Sequence, residues 1–240
     1  MTSFQTVSAG GLEVFYRQAG KPGAPKLLLL GGFPSSSHQF RNLMPALADR
    51  FHLISIDYPG FGNTEMPDPA EWDYTFDHLA EIVDETLLAI DFTGRMGLYM
   101  QGYGGPIGNR LISLHPDWLQ WQVIQNANIY EEGFVAAWDG IRHAVWAGRD
   151  AEIEVPPETF LEAEAVKAIY LTGHPDPTTI SPDNWNMDLH SVCEGGSSRS
   201  VAVRRRQPLD AAASALWRYD WRAPAAVPGT RGSLDEGCAV

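Results

Sequence analysis

Apolar residues along the chain fall into two alternating patterns. "KLLLL" (26–30) and "FHLISID" (51–57) are short, nearly continuous apolar runs, the mark of strands buried on both faces. "LEVFYRQAG" (12–20) alternates and predicts a strand with unlike faces. "HQFRNLMPALADR" (38–50) places Phe40, Leu43 and Leu47 at helical spacing. "TFDHLAEIVDETLLAI" (75–90) is the clearest helix. Thr75 is its cap, Asp77 sits near its positive end, and Phe76, Leu79, Val83, Leu87 and Ile90 form its stripe. "GLYMQ" (97–101) predicts a strand, 105–115 a helix, and "WQVIQN" (121–126) a further strand. Strands and helices that alternate over short connections predict an α/β protein with a mostly parallel sheet.

The alternation stops after Asn126. Residues 128–190 mix aromatic and acidic positions with helical stretches such as "TFLEAEAVKAIY", and predict a helical cap on a core of residues 1–127. A second break falls at Ser191. Residues 191–240 hold no Ile, Phe, Met, Asn, His or Lys, but seven of the fourteen arginines and both cysteines. The first 190 residues carry 10 basic against 25 acidic side chains, and the last 50 carry 7 against 5. Two readings fit this atypical tail. One is a flexible Arg/Ala-rich extension. The other is GC-rich coding sequence read out of frame, which yields Arg, Ala, Gly, Pro and Ser and depletes Ile, Phe, Lys and Asn.

Composition narrows the function. A net charge of −13 opposes binding to nucleic-acid phosphates. No apolar run is long enough to span a bilayer, and residues 1–20 carry no basic-then-apolar leader, so a cytoplasmic location without a membrane partner is expected. Cys193 and Cys238 make neither a disulfide framework nor a metal site, and no histidine pair has ligand spacing with a carboxylate; neither metal nor cofactor is expected.

The chemistry should lie in "GLYMQGYGGPIGNRL" (97–111). A strand enters a glycine turn that opens a helix, the arrangement that exposes a nucleophile at its tip. The tip residue is Gly102, which has no side chain. The Tyr103 N–H can serve an oxyanion, and a second N–H, from Phe33, comes from the turn "GGFPSSS" (31–37). These segments, together with "SIDYPGFGNTEMP" (55–67), "QNANIYEEGF" (125–134) and "HPDPTTISPDNWNMDLH" (174–190), resemble the α/β-hydrolase family. They are most similar to the branch of haloalkane dehalogenases and epoxide hydrolases, over residues 1 to about 190.

The resemblance implies a hydrolase core, its C-terminal part missing or replaced, acting on a small apolar epoxide, ester or haloalkane. It implies an aspartate at position 102 and a histidine at position 31, where this chain has Gly102 and Gly31. The branch's late catalytic histidine has no counterpart, because no histidine follows His190. Its acid, when it precedes the cap, would fall where the chain reads "QNAN". Tyr103 stands where haloalkane dehalogenases place a halide-binding tryptophan, which points to other hydrolases. Gly31, Pro34, Tyr130, Phe134 and Trp138 are the expected pocket residues; the cap aromatics serve equally as the cap's own core. Two functions stay open: a working hydrolase, or a non-catalytic, degenerate or truncated hydrolase-fold chain.

Of the seven histidines, His52 reads as a satisfied core residue and His78 as a solvated one. His115 suits a helix C-terminus. His143, His174 and His190 read as surface or structural, and His38 alone lies near the site.

Overall fold

The computed structural model describes residues 1–68, 71–128, 133 and 163–194. Six strands form one mixed sheet: β1 (Thr2–Ala9), β2 (Leu12–Ala19), β3 (Lys26–Leu30), β4 (His52–Ile56), β5 (Met96–Gln101) and β6 (Leu119–Gln125). Their order is β1-β2-β4-β3-β5-β6. β1 and β2 are an antiparallel hairpin, β2 pairs antiparallel with β4, and β4, β3, β5 and β6 run parallel. Gly10 and Gly11, at φ +57° and +76°, make the tight hairpin turn that side chains resist.

The runs of leucine and isoleucine reflect burial on both faces. Leu28 and Leu30 join Ile54, Ile56, Leu98 and Met100 under helices α2 (Phe76–Ala89) and α3 (Gly104–Leu114). Leu27 and Leu29 face the other way and pack with Leu53, Phe40 and Met44, the last from α1 (Leu43–Leu47). α2 starts as its sequence dictates: the Thr75 hydroxyl accepts from the His78 N–H, and Phe76, Leu79, Val83 and Leu87 are buried. Each such side chain contributes about 1.5–3 kcal/mol by leaving water.

Three points depart from the sequence pattern. Residues 38–50 are not one helix but a 3₁₀ turn (Ser37–Phe40) followed by the short α1. Pro45 explains the break, because its ring excludes a helical carbonyl four residues earlier. β1 is a strand that its polar sequence, TSFQTVSA, did not announce. His78 is not simply solvated either; it stacks on Trp72 at 4.0 Å.

Beyond β6 the described chain resumes with α4 (Ala163–Leu171) and α5 (Asp183–Glu194), which pack on each other. Strand direction places the site. The chain leaves β3 for β4 on one side and β5 for β6 on the other, so the crevice beyond the C-terminal ends of β3 and β5 is the sheet's switch point. Gly31–Pro34 and Gly102 are the residues that follow those two ends.

Candidate functional site

Gly102 sits between β5 and α3 at φ +52°. Its N–H donates to the Asn126 carbonyl at 3.3 Å, and its own carbonyl accepts from the Gly105 N–H at 3.0 Å. The turn is therefore fixed on both sides by backbone bonds. A Cβ built at 102 would meet one atom within 4 Å, Gly32 Cα at 3.1 Å. The glycine loop after β3 thus lies directly against the tip of the turn. Phe33 and Tyr103 meet there too, their rings stacked at 5.7 Å and both edge-on to Phe61. Phe76 closes the cluster at 4.8 Å from Tyr103.

The other glycines of the motif serve packing. A Cβ on Gly104 would stand 2.7 Å from the Leu30 carbonyl carbon, and one on Gly105 would stand 2.7 Å from Ala127 Cβ. Only glycine lets α3 begin this close to β3 and to the chain leaving β6. The Phe33 amide makes no backbone hydrogen bond among the described residues. The Tyr103 amide stands at the start of α3, where helical N–H groups point outward.

At Gly31 the space of a side chain is taken by the Gln39 amide, whose atoms lie 3.0–3.1 Å from a built Cβ. The Gly31 carbonyl accepts from the Tyr58 hydroxyl at 3.2 Å. Pro34 is buried. Tyr130, Phe134 and Trp138 lie outside the described residues.

Burial has gathered charges around this loop that no local pattern announced. Asp57, at the end of β4, is fully buried. Its carboxylate accepts from the Ser37 N–H at 2.7 Å and from the Asn63 N–H at 2.9 Å. The Ser37 hydroxyl accepts from Arg17 Nε at 2.9 Å, which brings a positive charge to the cluster. Burial raises the Asp57 pKa above the usual range; the hydrogen bonds from Ser37 and Asn63 and the Arg17 charge oppose that rise. The signal that could have found Asp57 is a carboxylate ending a buried apolar run.

His38 borders the same cluster. Its ring reaches Arg17 at 3.5 Å, and burial, then Arg41 and Arg17, hold its pKa below the ordinary value. His52 is a core residue, 2.6 Å from the Gln18 amide and edge-on to Phe92. His115 ends α3, bound to Asp84 at 2.8 Å and stacked on Trp118. Among the described residues no group of three or more His, Cys, Asp or Glu is placed to hold a metal, and no helix is long and apolar enough to cross a membrane.

A parallel-centred sheet whose switch point carries a glycine elbow facing a glycine loop defines the α/β-hydrolase fold. Residues 25–139 match the family described as alpha/beta hydrolase fold, and the chain has that fold. It is 35% identical over 191 residues to the uncharacterized hydrolase YNR064C of Saccharomyces cerevisiae, which covers 78% of this chain and 65% of that protein. It is 35% identical over 107 residues to a haloalkane dehalogenase of Psychrobacter cryohalolentis, covering 44% of this chain and 35% of that one. Among solved structures, the epoxide hydrolase CorEH shares the fold with a TM-score of 0.68 at 19% identity, over 90% of this chain and 74% of its own. The chain therefore spans less than two thirds of the length of these sequence relatives.

Proposed function

We propose that this chain carries the binding half of a hydrolase site for small apolar electrophiles, an epoxide, ester or haloalkane, and lacks the covalent half. The observation that carries this is Gly102: the elbow is built, yet its tip holds no atom that can attack. Phe33 and Tyr103 supply the oxyanion amides, and Gly31, Pro34, Tyr130, Phe134 and Trp138 line the pocket. Residues 128–190 form its cap over a core of residues 1–127. Likeness to haloalkane dehalogenases and epoxide hydrolases supports the substrate class.

The covalent route has two steps. A carboxylate attacks the electrophilic carbon to give an enzyme ester, and a base-activated water cleaves that ester. The first step lacks its atom here. Residues 191–240 supply no histidine as base for the second. Amide donors and binding alone leave about 10³–10⁴-fold acceleration over water in comparable triads, well short of a working enzyme.

A second reading, a non-catalytic hydrolase-fold protein, rests on the same residue together with the composition break at Ser191. Incubating the purified chain with activated esters, epoxides and haloalkanes tests the proposal. No multiple turnover is expected. Sustained turnover by the purified chain refutes it.

A further inference from the structure

Three consecutive serines follow Pro34, and each is committed to a different neighbour. Ser36 caps the 3₁₀ turn, its hydroxyl accepting from the His38 N–H at 3.3 Å. Ser37 is bound to Asp57 and Arg17 in the core. Ser35 turns the other way. Its buried side chain lies beside Asp188 of α5 and Tyr170 of α4, within hydrogen-bonding influence of both. The Tyr170 hydroxyl in turn donates to Asp188 Oδ2. Beside this triangle Arg41 Nη2 donates to Asn184 Oδ1 at 2.6 Å, so α5 grips the same stretch of chain twice.

Asp188 is only 2% exposed, and it and Asp57 are the two buried carboxylates among the described residues. A buried carboxylate is costly unless donors surround it, and an apolar side chain of that size would pack the helices more cheaply. Both of these carboxylates end on one short segment: Asp57 holds it from the sheet through Ser37, and Asp188 holds it from α4–α5 through Ser35. The segment is also short enough to transmit position. The Ser35 N–H donates to the Gly32 carbonyl at 3.0 Å, closing a turn around Phe33. Gly32 is the residue that touches Gly102.

We propose that Ser35, Tyr170 and Asp188 form a latch through which α4–α5 set the position of the loop carrying the Phe33 amide, with Asp188 as its positioning residue. The functional meaning of the latch rests on reading that loop as half of the oxyanion site. The latch itself is a matter of local order, so it is testable without turnover.

Hydrogen exchange by mass spectrometry on the full chain tests it, comparing the parent with Asp188→Ala, Asp188→Asn and Tyr170→Phe. Removing the acceptor in Asp188→Ala frees one end of the segment and leaves the Asp57 end fixed. Exchange of peptide 31–36 is expected to rise about tenfold or more, while β3, β4 and residues 57–64 keep the parent rate. Asp188→Asn keeps an acceptor for both hydroxyls and restores most of the protection; Tyr170→Phe falls between.

Unchanged exchange of 31–36 in a folded Asp188→Ala chain overturns the proposal, as does acceleration spread evenly over the sheet. If Asp188→Ala does not fold, Tyr170→Phe and Ser35→Ala carry the same comparison, and parent-like exchange of 31–36 in both refutes the latch. A failure of the site reading shows instead as a folded Gly102→Asp chain that no epoxide or haloalkane modifies at residue 102, and leaves these exchange patterns unaltered.

Discussion

Gly104→Ala separates two effects of opposite sign. Gly104 is the first residue of α3, and alanine is favoured over glycine in a helix interior by up to about 1 kcal/mol. Against that gain stands β3. The added methyl would lie 2.7 Å from the Leu30 carbonyl carbon and 2.9 Å from Leu30 Cβ, with the carbonyl oxygen closer still. These atoms belong to a strand paired on both sides, between β4 and β5, so they cannot yield as a flexible side chain does. α3 must lift instead, at a cost of about 1–3 kcal/mol for overpacking. The packing cost wins, and the net loss is about 1–2 kcal/mol.

Gly102→Ala is the control. Its methyl meets Gly32 Cα alone, at 3.1 Å, but φ +52° costs a side chain about 1–2 kcal/mol. Reduced freedom of the unfolded chain returns about 0.4–1 kcal/mol, so the loss is smaller than at Gly104. Urea denaturation of parent and both variants measures the order. A Gly104→Ala chain as stable as the parent refutes the close approach of α3 to β3 on which the elbow depends.

Other expectations follow from the same contacts. Burial raises the Asp188 pKa, so the native state binds more protons than the unfolded chain between the ordinary carboxylate value and the raised one. Stability then falls as pH rises through that window, and the advantage of Asp188→Asn over the parent grows with pH; a shrinking difference in denaturation at several pH values contradicts this. Burial lowers the pKa of His52, which carries the opposite sign: its contribution is lost as pH falls below about 6.5, and replacing it with glutamine should flatten the acid limb of the stability profile. β6, LQWQVIQ, is an uncharged strand on the edge of the described sheet, with Trp121, Val123 and Ile124 exposed. Trp121→Lys should therefore lower self-association in sedimentation measurements, and unchanged association sinks the idea. The coding DNA beyond codon 190, read in its other frames, should encode a further strand, an acid and a late histidine; closed or unrelated frames refute the out-of-frame reading of residues 191–240.

Much of the fold was legible because burial leaves a periodic trace. KLLLL and HLISI are apolar at most of their buried positions, and α2 carries both its cap and its stripe in sequence. β1 left no such trace, since most of its residues are exposed and it is held by pairing with β2. At the site, the glycine pattern around position 102 announced a crowded turn. The partners of the serine run were not legible: Ser35 and Asp188 are separated by most of the described chain, and nothing local in DNWNMDLH marks its second aspartate as buried. A polar contact that joins distant elements leaves no periodicity at either end.

On the proposed reading, position 102 is the tip of a complete elbow facing a hydrolase pocket and lacks only its reacting groups. Gly102→Asp supplies one of them. The added side chain meets no backbone but Gly32 at the Cβ position, so the variant should fold. On the proposed reading it attacks a bound epoxide or haloalkane once and stops, because His38, His52, His78 and His115 are engaged with Arg17, Gln18, Trp72 and Asp84 rather than poised to cleave the ester. Intact-mass and peptide mapping after incubation with such a panel is the direct measurement. One adduct on residue 102 in the variant, none in the unmodified chain, and no accumulating hydrolysis product in either is the expected result. A Gly102→Asp chain that folds and stays unmodified, or an unmodified chain that turns substrate over repeatedly, contradicts the account.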